Sequence, residues 1–292
     1  MTADAVTTTR AGAQTARPAA RPGVATVLRW ELRKLLAQKR TFIGLGAVTA
    51  VPLIFVIAMA ADDTGGPTDV PLASVVRDTG LAVPLVVLFL GSLWLFPLAT
   101  ALVAGDVVSS EEQHGTMKTI LTRSVDRWQI FAGKTLAALG YSFVIVAACV
   151  LVSLAAGGVA WGFDPLTTLS GSQVGTGRAL VLTAAGALAY CVPIAATACL
   201  AILFSTVTRN SAAAIVATLL LSVVMQVLGS IDSLGWLEPY LLTEQFDSWQ
   251  GFLRQPVDWS PVVHSLWVCA LYGAPALAAA LTVFVRRDVT GG

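Results

Sequence analysis

Six stretches of this 292-residue chain contain no Asp, Glu, Lys or Arg: residues 41–61, 81–105, 135–163, 179–208, 210–231 and 265–285. An α-helix rises about 1.5 Å per residue and a bilayer's hydrocarbon core is about 30 Å thick, so about 20 residues cross it. Each of the six is long enough. In lipid every backbone N–H and C=O must be paired within the protein, which a helix achieves inside one segment. The pattern therefore predicts an all-α membrane protein with six transmembrane helices, at about 41–61, 81–105, 135–160, 179–208, 210–231 and 265–285, within a membrane domain over 41–287.

Composition agrees, with a mean hydropathy of +0.77 and only 12% charged residues, against about 25% in soluble domains. With six spans both termini share a side. Of the 18 Lys and Arg residues, all but Arg77, Arg178 and Arg254 fall on that side. The positive-inside rule then predicts cytoplasmic termini. The arginine-rich, alanine-rich usage hints at a bacterial protein, hence a multi-pass protein of a bacterial plasma membrane. Cys149, Cys191, Cys199 and Cys269 all fall inside apolar spans with no C-x-x-C or Cys/His grouping, so they read as small packing residues and no metal site is expected.

Residues 1–23, rich in Thr, Ala, Arg and Pro, read as a disordered cytoplasmic tail. Residues 24–40 read as an amphipathic interfacial helix: Val24, Val27, Leu28, Leu32, Leu35 and Leu36 share one arc, with Arg29, Arg33 and Lys34 opposite. Glu31 breaks that pattern by sitting within the apolar arc. It is either an imperfection of the face or a carboxylate paired with a cation from the next cytoplasmic segment, since a lone buried charge is expensive. Residues 105–134 form the most charged stretch, with Gly115 and Ser124 as punctuation for two short helices. Residues 232–264 carry six aromatic residues and three prolines, suggesting short interfacial or re-entrant helices. Pro52, Pro97, Pro193 and Pro275 are expected kink sites. The small residues of the fourth span place it inside the bundle.

Several chemistries lack their residues. No predicted span holds an ionisable group, which argues against proton relays and against an intramembrane enzyme. Gly133-Lys134-Thr135 resembles the end of a phosphate-binding loop, but Trp128 stands where the motif needs glycine. The chain is therefore not expected to be an enzyme or to bind a cofactor, and no motif points to nucleic acid.

Glu111-Glu112-Gln113-His114-Gly115-Thr116, then Ile120-Leu121-Thr122, Val125-Asp126-Arg127, Ile130 and Gly133-Lys134 resemble a pattern of the ABC (ATP-binding cassette) permeases of the type 2 exporter family. It lies between spans two and three, as in that family; Ser124 replaces a proline common there. Trp30-Glu31-Leu32-Arg33-Lys34 resembles the family's N-terminal helix. The resemblance implies a permease subunit of an ATP-driven exporter, paired with a second permease (a copy of itself or a sister chain) and docked to separate ABC ATPase subunits that carry ATP and Mg. Cargo would be hydrophobic or amphipathic, such as a drug, peptide or lipid. It further implies an ATPase-coupling interface of Glu31, Arg33, Lys34, Asp106, Glu111, Glu112, Gly115 and Thr116, with Arg123, Arg127, Gly133 and Lys134 anchoring the coupling segment to the bundle and to membrane lipids. For Arg127 and Lys134 plain positive-inside anchoring is the alternative. For Glu111 and Glu112 it is a solvated helix face. For the whole chain it is a non-transport membrane scaffold or sensor subunit.

Overall fold

The computed structural model describes residues 23–61, 75–113, 126–168 and 170–286, with backbone alone for Glu112 and Gln113. Of the predicted tail only Gly23 falls within them, as the N-cap of the first helix; residues 1–22 lie outside. In chain order the elements are α1 (Val24–Ala37), α2 (Lys39–Ala61), a 3-10 turn (Gly80–Ala82), α3 (Val83–Leu93), α4 (Leu95–Ala104), α5 (Ser109–Gln113), α6 (Arg127–Trp161), β1 (Leu166–Thr167), β2 (Gln173–Val174), α7 (Thr176–Thr208), α8 (Ser211–Gly229), three further 3-10 turns, and α9 (Ser260–Arg286). The two short strands pair antiparallel as a hairpin. Among the described residues five helices, α2, α6, α7, α8 and α9, are long and apolar enough to cross a membrane, and the pair α3–α4 joins them if counted as one bent span. The protein is largely helical and membrane-embedded.

The second predicted span departs from a straight rod. Its two halves meet at Trp94, bent by 63°. Pro97 supplies the reason: it has no N–H for the carbonyl of Leu93, and its ring crowds that carbonyl. Pro52, Pro193 and Pro275 lie instead inside unbroken helices. The bend is packed with aromatic rings. Phe96 stacks edge-on against Tyr190 at 5.1 Å, and Tyr190 against Phe246 at the same distance. The Tyr190 hydroxyl donates to the carbonyl of Leu88 at 3.0 Å.

α6 and α7 are longer than the spans predicted for them, at 35 and 33 residues. α6 begins at Arg127 because nothing in Arg127–Lys134 stops a helix, so charged residues ride on the foot of an apolar rod about 50 Å long. α7 sits innermost, as its small residues foretold: 61% of its most apolar window is buried, against 17% for α8. Hydroxyls inside the helices return to the carbonyl one turn back, among them Ser142 to Ala138, Thr183 to Ala179, Thr197 to Pro193 and Thr218 to Ala214. These four side chains thereby sit in apolar surroundings with their donors used, while the buried hydroxyls of Thr100 and Ser153 find no such partner.

The segment between α8 and α9 folds as 3-10 turns rather than α-helices. Its aromatic residues divide into two groups. Trp236 and Trp259 are exposed, while Phe246, Trp249 and Phe252 are buried in the main hydrophobic core. The last turn, Glu244–Leu253, therefore closes the hairpin end of the bundle from within.

Candidate functional site

At the opposite end from the hairpin, α1, α2, α5 and the foot of α6 converge on a buried cluster of charge. α1 is held by the face Val27, Glu31 and Leu35, one residue per turn. It lies unusually close to α6 because position 133 is glycine: a Cβ there would stand 2.6 Å from Val27 Cγ1 and 3.2 Å from the Leu28 nitrogen. That approach brings the Lys134 ammonium within 2.8 Å of Glu31 Oε1. The same ammonium lies 2.6 Å from Glu111 Oε1 on α5. Lys34, one turn along α1 from Glu31, donates to Glu111 Oε1 at 2.8 Å. The Lys134 side chain is only 1% exposed, Glu111 5% and Glu31 10%.

The four groups balance, two ammoniums against two carboxylates. Burial of a single charge in such a place costs several kcal/mol, and close opposite charges with hydrogen bonds offset that cost. Glu31 is thus paired with a cation of the following segment. Lys134, expected to hold the segment against the bundle and the headgroups, is enclosed by protein.

A second pair sits beside the first. Asp106, between α4 and α5, binds the guanidinium of Arg40 on α2. The hydroxyl of Ser211, at the start of α8, accepts from Arg40 at 2.7 Å and donates to Asp106 Oδ1 at 2.6 Å. Asn210 caps α8 by accepting from the Ala213 N–H. α5 is held similarly: the Ser205 hydroxyl on α7 accepts from the backbone N–H groups of Val108 and Ser109 at 3.3 and 3.1 Å. The start of the charged segment is therefore fastened to α1, α2, α6, α7 and α8.

Of the residues singled out from sequence, Glu31, Lys34, Asp106, Glu111, Gly133 and Lys134 come together here. Asp106 and Glu111 turn inward, their carboxylates engaged with cations of this same chain. Arg33 is exposed on α1. Arg127 donates to the carbonyl of Val285 at 2.9 Å, placing a cation at the C-terminal end of α9, where the helix dipole favours one. The side chain of Glu112, and Gly115, Thr116 and Arg123 entirely, lie outside the described residues. Sequence reading missed Arg40, Ser205 and Ser211 as members. Arg40 counts from sequence only among the cations that set orientation, and a serine at a span boundary gives no distinguishing signal.

A separate concavity of about 1050 Å³ opens between α6, α7 and α9. Val146, Val150, Leu188, Cys191, Cys199 and Leu277 are among the side chains lining it, and among the described residues no charged one does.

A family model described as a protein of unknown function, DUF2705, matches residues 50–290, most of the chain. The chain belongs to this family. The DUF2705 match takes in Asp106, Glu111 and Lys134, while Glu31, Lys34 and Arg40 precede it. No curated protein matches the chain.

Proposed function

We propose that this DUF2705 chain is the membrane-spanning permease subunit of an ATP-driven exporter of the ABC type 2 kind. The observation that carries the reading is the locked root of the charged segment, where Glu111 is clasped by Lys34 and Lys134. A coupling element must transmit a push without yielding. α5 cannot move alone, because any displacement strains ion pairs on α1 and α6, so force applied beyond it reaches the bundle. The resemblance of residues 111–134 to the coupling segment of that family supports the same role independently.

In this reading α3 and α4 form one bent span, giving six, with both termini cytoplasmic in a bacterial plasma membrane. Two permeases, identical or sister chains, enclose the pathway. ATP and Mg are bound and used on separate ATPase subunits. Asp106 and Glu111 brace the coupling segment from inside. Contact with the ATPase then falls to residues 112–125 and to the outward side of α1, where Trp30, Leu32 and Leu36 are exposed and Arg29 and Arg33 stand beside them. The apolar lining of the α6–α7–α9 concavity favours hydrophobic or amphipathic cargo.

The test is purification of the full chain from its own host in mild detergent. A stoichiometric ATPase bearing a phosphate-binding loop is the expected companion. A chain that emerges alone, and that no added ATPase of the same host binds, overturns the proposal in favour of a scaffold or sensor subunit.

A further inference from the structure

A cleft of about 480 Å³ opens where α1 ends and α2 begins, lined by Lys34, Gln38, Lys39, Arg40, Asp106, Ser110 and Glu111. Its charges are layered. The carboxylates form the floor, with side chains only 7% (Asp106) and 5% (Glu111) exposed, each already engaged by a cation. The cations form the rim: the Lys34 side chain is 36% exposed and that of Arg40 48%. Lys39 is exposed as well, and among the described residues it has no ion-pair partner. Among the described lining residues, three cations against two anions leave an excess of one positive charge, on the accessible side.

The cleft's position narrows what that excess can meet. Phe42 and Ile43 follow Arg40 directly and are 55% and 63% exposed on α2. The apolar belt of a membrane-crossing helix therefore begins within one turn of the rim, which sets the cleft at headgroup level. A basic pocket between helices at that depth is suited to an anionic lipid headgroup, whose acyl chains continue along the apolar side chains below. Lys34 and Arg40 each keep N–H groups beyond those spent on the floor, as three donors on an ammonium and five on a guanidinium allow.

We infer that this cleft binds a phosphate group, supplied by the headgroup of an anionic membrane lipid. The inference rests on the membrane spans and not on the ATPase partnership, so either stands if the other fails. The test exchanges the purified full chain into mixtures of phosphatidylglycerol and phosphatidylcholine and measures retained lipid by native mass spectrometry. Wild type is expected to retain phosphatidylglycerol in preference. Lys39→Gln, which removes a cation that no carboxylate among the described residues uses, should reduce that retention about fivefold, the value of one surface cation against an anionic lipid. Lys39→Arg should keep it. Equal retention of the two lipids, or retention indifferent to Lys39→Gln, overturns the site. A parallel arm uses inorganic phosphate alone. Phosphate raising the melting temperature of wild type but not of Lys39→Gln, without any preference for phosphatidylglycerol, would overturn the lipid as the source and leave a soluble phosphate as the ligand.

Discussion

Lys134 is the residue on which the charged end turns. It serves two carboxylates from different helices, and among the described ammonium groups it is the most enclosed. Lys134→Met would leave Glu31 and Glu111 facing each other with Lys34 alone to balance them. Breaking a buried pair in this way costs about 3–5 kcal/mol, so the purified variant should melt well below wild type. Glu31→Gln should cost less, because Lys134 keeps Glu111. An equal loss from both substitutions would contradict the geometry. At the hairpin end, Asp247 offers a second test. Burial pushes its carboxyl up to about 6 from an ordinary 3.8, so the folded state holds the proton more tightly than the unfolded chain does. Its contribution therefore becomes unfavourable as pH rises from about 4 through 6, and the penalty is complete above that window. Asp247→Asn should stabilise the protein by about 1–3 kcal/mol at pH 7, with the gain shrinking toward pH 4. A gain that persists unchanged at pH 4 would show that ionisation is not its origin.

Among the elements, α1 owes its place to a single missing side chain. Gly133→Ala puts a methyl group 2.6 Å from Val27 Cγ1, closer than carbon atoms approach, and should force α1 away from α6. The expected cost is about 1–3 kcal/mol, the usual range for overpacking. Val27→Ala in the same chain should recover part of it, which a double-mutant cycle of melting measurements reads directly. Additive losses would place the strain elsewhere. The elements also show which information was local. The apolar windows were legible because crossing a bilayer is a property of one segment at a time. The break at Trp94 was half legible: Pro97 announced a kink, but the rings that pack at it, Phe96, Tyr190 and Phe246, come from three separate segments. The charge cluster joins residues 77 and 103 positions apart, which no window contains. Glu31 gave the one clue from periodicity, by standing in an apolar face where an unpaired carboxylate could not remain, and the family resemblance supplied the rest. Lys134 was marked by the resemblance alone, because by position a cation beside a span boundary looks the same whether it meets headgroups or protein. The core residues of Glu244–Leu253 were hidden for a related reason: aromatic residues in a polar segment suit an interface and a core equally well.

For the whole molecule, the two ends differ in kind. One gathers paired ions and the other closes with a hairpin and buried aromatic side chains. Single cysteines introduced at the two ends should therefore react from opposite sides of sealed vesicles. Arg33→Cys and Trp236→Cys both replace exposed residues. Cys149, Cys199 and Cys269 are buried and Cys191 half-buried, giving a low background. A membrane-impermeant maleimide should label one variant in right-side-out vesicles and the other only in inverted ones. Labelling of both from the same side would remove the predicted span count along with the orientation.

α6 runs from Arg127 to Trp161 as one helix containing no proline, while its neighbour α3–α4 is folded at Trp94. The first is a boom and the second an elbow. A boom pivots without bending: a tilt of about 5° at the ion-paired foot would sweep the far tip of a rod of this length by about 4–5 Å. At that tip Gly157 touches Gly80 so closely that a Cβ on Gly80 would stand 2.2 Å from the Gly157 backbone. Leverage and clearance thus meet at one pair of glycines, and a swing of the boom away from the Gly80–Ala82 turn would part them.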